Sequence, residues 1–261
     1  MNLGIDGALA VVTGAGRGIG LAVTTALLEQ GARVVAGSRS TTEGLRKLLD
    51  TGRLHVVEVD LSTAAGAREL GAAAADLGSV DILVNNVGAV TPRLDGFLAI
   101  TDEQWLATLT LDLMSAVRAT RAVLPGMLAA RRGSIVTVSS VNATLADPGV
   151  MDYSAAKAAL TNFSKSLSKE VGPQGIRVNT VSPGPVATDL WLGAEGVAAA
   201  VAASNGGSAT AVADSVAAQS VTGRFTRPDE IADLVLFLAS PRAANITGTD
   251  VVIDGGLITT T

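Results

Sequence analysis

The sequence contains no cysteine. That excludes disulfides, zinc–thiolate sites and thiol catalysis, and it suits a reducing compartment such as the cytoplasm. There is one histidine, His55, inside a strand-like run. A histidine-based triad would need it beside a nucleophile; the strand context instead makes it a partly buried packing residue. Aromatic residues make up 3% of the chain, so its core has to be built from Val, Leu, Ile and Ala. No Lys/Arg-rich tract occurs and the formal net charge is -5, which argues against nucleic acid or an anionic membrane as a partner. The acids are scattered without metal-ligand spacing, so no metal site is expected. No apolar run reaches the roughly 18 residues of a membrane span, and Met1–Gly7 has no basic or apolar leader. The expectation is a soluble, non-exported, cytoplasmic protein.

What the chain does have is 261 residues, 48% of them hydrophobic, which is enough for a large buried core. Short Val/Leu/Ile runs alternate with longer helical patterns. Strands are expected at 8–13, 33–37, 54–59, 81–85, 134–139, 177–181 and 250–253. Helices are expected at 19–30, 43–49, 64–77, 102–130, 152–171 and 228–239. Most strand runs are continuously apolar, the mark of strands covered on both faces in a parallel sheet. The alternation predicts α/β architecture: a single domain with one doubly wound (Rossmann) sheet. No linker divides the chain. One segment, residues 190–222, is unusually rich in Ala, Gly, Ser and Val. Two readings are open: a surface insertion or packed helix, and a substrate lid beyond a strand end.

After the first strand run comes a turn with Gly14, Gly18 and Gly20, including Arg17 and Ile19, followed by an amphipathic stretch. The strict G-x-G-x-x-G spacing is not met. The physics is the same: glycines permit a tight turn and close backbone approach, and a helix N-terminus favours a pyrophosphate. The second strand run ends at Ser38 and Arg39. A site for NAD(H) usually carries a carboxylate there for the ribose 2′-hydroxyl. An arginine would instead attract a 2′-phosphate, and Arg17 could add a second cation. The alternative is that both arginines are solvated charges. NADP(H) is the expected cofactor, with NAD(H) as the alternative.

Tyr153 and Lys157 stand one helical turn apart, with Ser140 upstream. A phenol is a poor acid or base at neutral pH, its unperturbed pKa being about 10. An ammonium one turn away favours the phenolate, and a nearby hydroxyl can hold a substrate oxygen. The set suits proton transfer to or from an alcohol or carbonyl oxygen.

With these motifs in view, the chain resembles the short-chain dehydrogenase/reductase family over nearly its whole length. The resemblance is carried by Thr13–Gly20, Asp60 with Leu61, Asn85–Gly88, Ser140, Tyr153 with Lys157, Pro183 and Gly184 with Thr188, and Asp254–Gly256. It implies a seven-stranded parallel sheet in the order 3-2-1-4-5-6-7, hydride transfer at a nicotinamide, and a homotetramer or homodimer. It implies Tyr153 as general acid and base, Lys157 as its modulator and a ribose ligand, and Ser140 as the holder of the substrate oxygen. Asp60 and Leu61 would flank the adenine, and Asn86 and Gly88 would lie along the cofactor. Pro183, Gly184, Val186 and Thr188 would meet its carboxamide and phosphate regions. Two positions depart from the family pattern. Val87 replaces an alanine in the Asn-Asn-Ala-Gly motif. Asp112 stands where the family's fourth catalytic residue, an asparagine, is expected. A carboxylate near Lys157 favours the ammonium but disfavours a phenolate at Tyr153, so the two effects oppose.

No lysine or arginine lies between Arg177 and Arg224, whereas Asp189, Glu195 and Asp214 do. A lid that clamps a phosphate or carboxylate would be expected to supply a cation. The expected substrate is therefore a neutral, fairly apolar ketone or aldehyde, or the matching alcohol. Trp191 and Leu192 offer contact area or packing, and Val150 and Met151 are candidate pocket residues. A 3-oxoacyl thioester is the alternative substrate, to which Arg131 and Arg132 hint only as docking for an acidic carrier. A catalytically silent NADP(H)-binding regulator, and a net epimerisation or elimination, are the alternative functions.

Overall fold

Seven apolar runs become strands because each finds parallel partners and a cover of helices. In the computed structural model, which describes residues 2–259, they are β1 (Leu9–Thr13), β2 (Arg33–Ser38), β3 (Leu54–Glu58), β4 (Ile82–Asn85), β5 (Gly133–Val138), β6 (Ile176–Pro183) and β7 (Asp250–Ile253). Every pairing is parallel, and the order is β3-β2-β1-β4-β5-β6-β7, as the resemblance implied. The helices are α1 (Gly18–Glu29), α2 (Glu43–Leu48), α3 (Ala64–Leu77), α4 (Asp102–Leu109), α5 (Ser115–Ala130), α6 (Met151–Val171), α7 (Asp189–Leu192), α8 (Val197–Asn205), α9 (Ala209–Ala217) and α10 (Pro228–Ala239). None among the described residues is long and apolar enough to cross a membrane.

All five residues of β1 are buried, and strand geometry sends alternate side chains to opposite faces. Ala10 and Val12 join Val23 and Leu27 of α1 and Ile231 and Val235 of α10 in one core. Leu9 and Val11 join Leu70 of α3, Val123 and Met127 of α5 and Leu167 of α6 in the other. Burying each such Leu, Val or Ile contributes about 1.5–3 kcal/mol. The continuous apolar run is thus the signature of two cores sharing one sheet. Strand order reverses direction between β1 and β4, which opens a crevice at their carboxyl ends.

Two expectations need correction. His55 is exposed, because β3 is the edge of the sheet and only Val57 of that strand is buried. The helix expected over 102–130 is interrupted by a π-helical turn at Thr110–Met114, where the N–H of Ser115 donates to the Thr110 carbonyl. The Ser115 hydroxyl donates to the Leu111 carbonyl at 2.5 Å, which supports the widened turn. Residues 190–222 are ordered into three short helices after β6, namely the end of α7, α8 and α9.

Candidate active site

A cleft of about 1540 Å³ runs along the carboxyl ends of the strands. At one end it meets the turn between β1 and α1. Gly14 and Gly18 there hold φ of +65° and +53°, a conformation that suits glycine. A Cβ at Gly16 would stand 2.5 Å from the Ser38 Oγ. The turn therefore exposes bare backbone beside the N-terminus of α1, a cradle suited to a pyrophosphate. Gly14, Arg17, Gly18 and Ile19 line the cleft; Gly20 does not. Gly20 sits beneath the turn, where a Cβ would strike the Gly14 carbonyl, so its part is packing rather than contact.

Ser38, Arg39, Asp60 and Leu61 line the same end. Arg17 and Arg39 are exposed, and neither joins a salt bridge among the described residues. The Asp60 carboxyl lies below its usual range, chiefly because Ser62 donates to it, with Arg39 adding a smaller pull. Asn86 lines the cleft and also braces the turn: its Nδ2 donates to the carbonyls of Thr13 and Gly14, both at 3.1 Å. Val87 and Gly88 continue that wall. Pro183, Gly184, Val186 and Thr188 also line the cleft. A Cβ on Gly184 would come 2.9 Å from the Asp254 Cα, so the Pro183–Gly184 and Asp254–Gly256 motifs pack on each other. The shape and the two unpaired cations fit a phosphorylated dinucleotide.

Tyr153, Lys157 and Ser140 line the middle of the cleft. Helix α6 places Tyr153 and Lys157 on one face, with the ammonium 5.5 Å from the centre of the phenol ring. Lys157 is buried, and its Nζ donates to the Val138 carbonyl at 3.1 Å. Ser140 follows β5. Its Oγ accepts from the Asn142 N–H at 3.2 Å and donates to the Asn142 Oδ1 at 3.3 Å. Asn142, which the motifs did not flag, also lines the cleft.

Asp112 does not line it. The π-helical turn buries its side chain behind Gly88, whose absent Cβ would lie 2.7 Å from Asp112 Oδ1. That oxygen accepts from the Ala89 N–H at 3.1 Å and stands 3.8 Å from Lys157 Nζ. Oδ2 is buried without a partner. Burial pushes the Asp112 carboxyl up to about 6, although Lys157 pulls the other way. Asp112 therefore meets the cleft only through residues that line it, namely Gly88, Ala89 and Lys157.

The far end is apolar. Val90, Leu94, Leu106, Val150 and Trp191 line it, with Val201, Val212 and Val216 from α8 and α9. Trp191 stacks edge-on against Phe225 at 5.6 Å. Met151 and Leu192 do not line the cleft. The other ionisable residues that line the cleft, besides those named above, are Glu103, Asp147 and Asp189. Arg131 ends α5 in a left-handed conformation, and Arg132 pairs with Asp81 at 3.0 Å. A buried Arg93–Asp152 pair beside Tyr153 was invisible to motif reasoning. Among the described residues no cluster suited to a metal ion exists.

A family model described as enoyl-(acyl carrier protein) reductase matches residues 14–258. The chain belongs to the short-chain dehydrogenase/reductase family, and it is an oxidoreductase of that family. The 3-oxoacyl-(acyl-carrier-protein) reductase FabG of Vibrio cholerae is 38% identical over 261 residues, covering 98% of this chain and 99% of that protein. The D-threitol dehydrogenase of Mycolicibacterium smegmatis is 37% identical, covering 97% and 93% respectively. The structure of L-sorbose reductase from Gluconobacter frateurii, complexed with NADPH and L-sorbose, superposes with a TM-score of 0.92 at 35% identity over 100% of both chains.

Proposed function

We propose that the protein is an NADP(H)-dependent oxidoreductase interconverting a neutral, fairly apolar ketone or aldehyde with its alcohol. The observation that carries this is one continuous cleft. It joins two unpaired arginines at the dinucleotide end to Tyr153 and Lys157, and then to an apolar chamber. Gly14, Arg17, Gly18, Arg39, Asp60, Leu61 and Asn86 hold the dinucleotide, with Arg39 and Arg17 on the 2′-phosphate. When bound, the nicotinamide supplies or accepts the hydride. In reduction, the Tyr153 hydroxyl gives its proton to the substrate carbonyl oxygen; in oxidation, the phenolate takes the proton from the alcohol. Lys157 sets a positive charge beside the phenol as negative charge develops on it. Ser140 holds the substrate oxygen, and to donate to it must exchange its bond to Asn142, since a hydroxyl has one proton to give. α7 to α9 serve as a lid that excludes water from the transfer.

The relatives favour a second reading, reduction of a 3-oxoacyl thioester. Against it, Arg132 is held by Asp81, and the chamber offers acids where an anionic substrate would want cations. A silent NADP(H)-binding regulator fits poorly with a cleft that keeps Ser140, Tyr153 and Lys157 together. The experiment is steady-state turnover with NADPH, then NADH, over apolar ketones, polyols and 3-oxoacyl thioesters. The proposal expects NADPH consumption with apolar ketones; cofactor binding without turnover would sink it. A cysteine-free sequence supports a cytoplasmic location, and the family resemblance supports a homotetramer, which light scattering in solution would test.

A further inference from the structure

A buried ion pair binds the loop after β4 to the start of α6. Asp152 directly precedes Tyr153, and its side chain is 2% exposed. Its Oδ2 accepts from Arg93 Nη2 at 2.7 Å, from Arg93 Nε at 3.0 Å and from Thr108 Oγ1 of α4 at 2.8 Å. Its Oδ1 accepts from the Tyr153 N–H at 3.0 Å. The bonds from Arg93, Thr108 and Tyr153 hold the Asp152 carboxyl below its usual range despite its burial. Arg93 is 12% exposed, and its own N–H donates to the Gly149 carbonyl at 2.7 Å.

The neighbours of this pair face the cleft. Pro92 and Leu94, which flank Arg93, line it together with Gly149 and Val150. One carboxylate thus joins the Arg93 loop, α4 and the helix that carries Tyr153. Burying two charges is expensive, and an apolar pair of similar volume usually serves stability as well. What an apolar pair lacks is direction: two guanidinium N–H groups converging on one oxygen, and a hydroxyl on the same oxygen, fix angles as well as distance.

We propose that Arg93 and Asp152 are positioning residues. They tie the lining segment around Arg93 and α4 to the first turn of α6 and lock that turn, so that the Tyr153 hydroxyl meets the substrate oxygen. The proposal rests on the reading of this cleft as a carbonyl reductase site. The test uses the full-length enzyme with NADPH and the best apolar ketone. The double variant Arg93→Met/Asp152→Asn removes both charges and leaves neither one bare. Its kcat is expected to fall about 10- to 100-fold with a raised ketone KM, the scale of a misplaced reacting group. NADPH binding stays unchanged, since the dinucleotide end is built from other segments. Arg93→Lys keeps the charge but loses the fork, and recovers only part of kcat.

A double variant that folds and keeps wild-type kcat and ketone KM would overturn the proposal, whatever its Tm. If it fails to fold, Asp152→Asn alone is read in the same way. Hydrogen exchange gives a readout that does not need turnover: amides at 93–94 and 150–153 should exchange faster in the variant. Unchanged exchange there overturns the positioning role. Absence of turnover in the wild type overturns the carbonyl reductase reading instead.

Discussion

The two ends of the cleft are built by different means. At the dinucleotide end, the lining comes from backbone and from residues clustered in short segments at the tips of β1, β2, β3 and β4. At the substrate end it comes from side chains brought together from the β4–α4 loop, α4, the start of α6 and α7 to α9. The first end has exposed arginines and tightly packed glycines; the second has aliphatic walls with carboxylates among them. The contrast teaches that the cofactor half has little freedom to vary, because a turn with no room for a Cβ admits few sequences. The chamber can change with any residue of α7 to α9 that lines it, and relatives carry names as different as D-threitol dehydrogenase and L-sorbose reductase.

Substitutions at each end, and at their junction, would break or sharpen this division. The largest effect is expected at the junction. Tyr153→Phe should lower kcat by ~100-fold or more, the scale of a lost acid–base group, with NADPH binding retained by fluorescence titration. Next, Arg39→Glu should lower kcat/KM for NADPH by about 10- to 100-fold, as expected for losing a charge-assisted bond, while NADH is spared or improved. An equal loss with both cofactors would remove Arg39 from the phosphate. Trp191→Ala should raise KM for bulky apolar ketones by about tenfold, from lost apolar contact, and leave the NADPH KM alone.

Asp112→Asn should change turnover least, because the side chain does not itself line the cleft and an amide oxygen can still accept from the Ala89 N–H. A loss of ~100-fold would instead give its carboxyl a direct acid–base role. Its signature lies in stability against pH. The folded carboxyl keeps its proton up to about 6, whereas the unfolded one releases it near 3.8. Between those values the folded state binds more protons, so this group's contribution falls as pH rises and is lowest above about 6. The full difference is ~3 kcal/mol. Urea unfolding of the wild type and Asp112→Asn across pH 4 to 7 should show a flatter profile in the variant; parallel profiles would refute the assignment.

Most of the fold was legible because its strands lie between two cores. Continuous apolar runs marked β1, β4 and β5, and the bounds of α3, α10 and β7 match the expected ones. His55 was misread because the edge position of β3 is a property of the sheet, not of the run Leu54–Glu58. The π-helical turn at Thr110–Met114 was missed because helical periodicity does not report one added residue per turn. Within the site, Gly14, Arg39, Ser140, Tyr153 and Lys157 could be picked out by local spacing. Arg93, Thr108 and Asp152 could not, since they are 15 and 44 residues apart along the chain and meet at a single oxygen.

The amino-acid order alone was enough for the alternation of strands and helices, the glycine turn, and the Tyr153–Lys157 step on one helical face. These depend on contacts within a few residues, where periodicity and backbone sterics decide. Only the tertiary structure decided that Asp112 is buried behind Gly88, that Gly20 packs beneath the turn, and that α8 and α9 line an apolar chamber. Only there does one carboxylate brace the helix of Tyr153. Burial, desolvation and ion pairing depend on which distant segments exclude water from a group, and that becomes definite when the sheet closes around them.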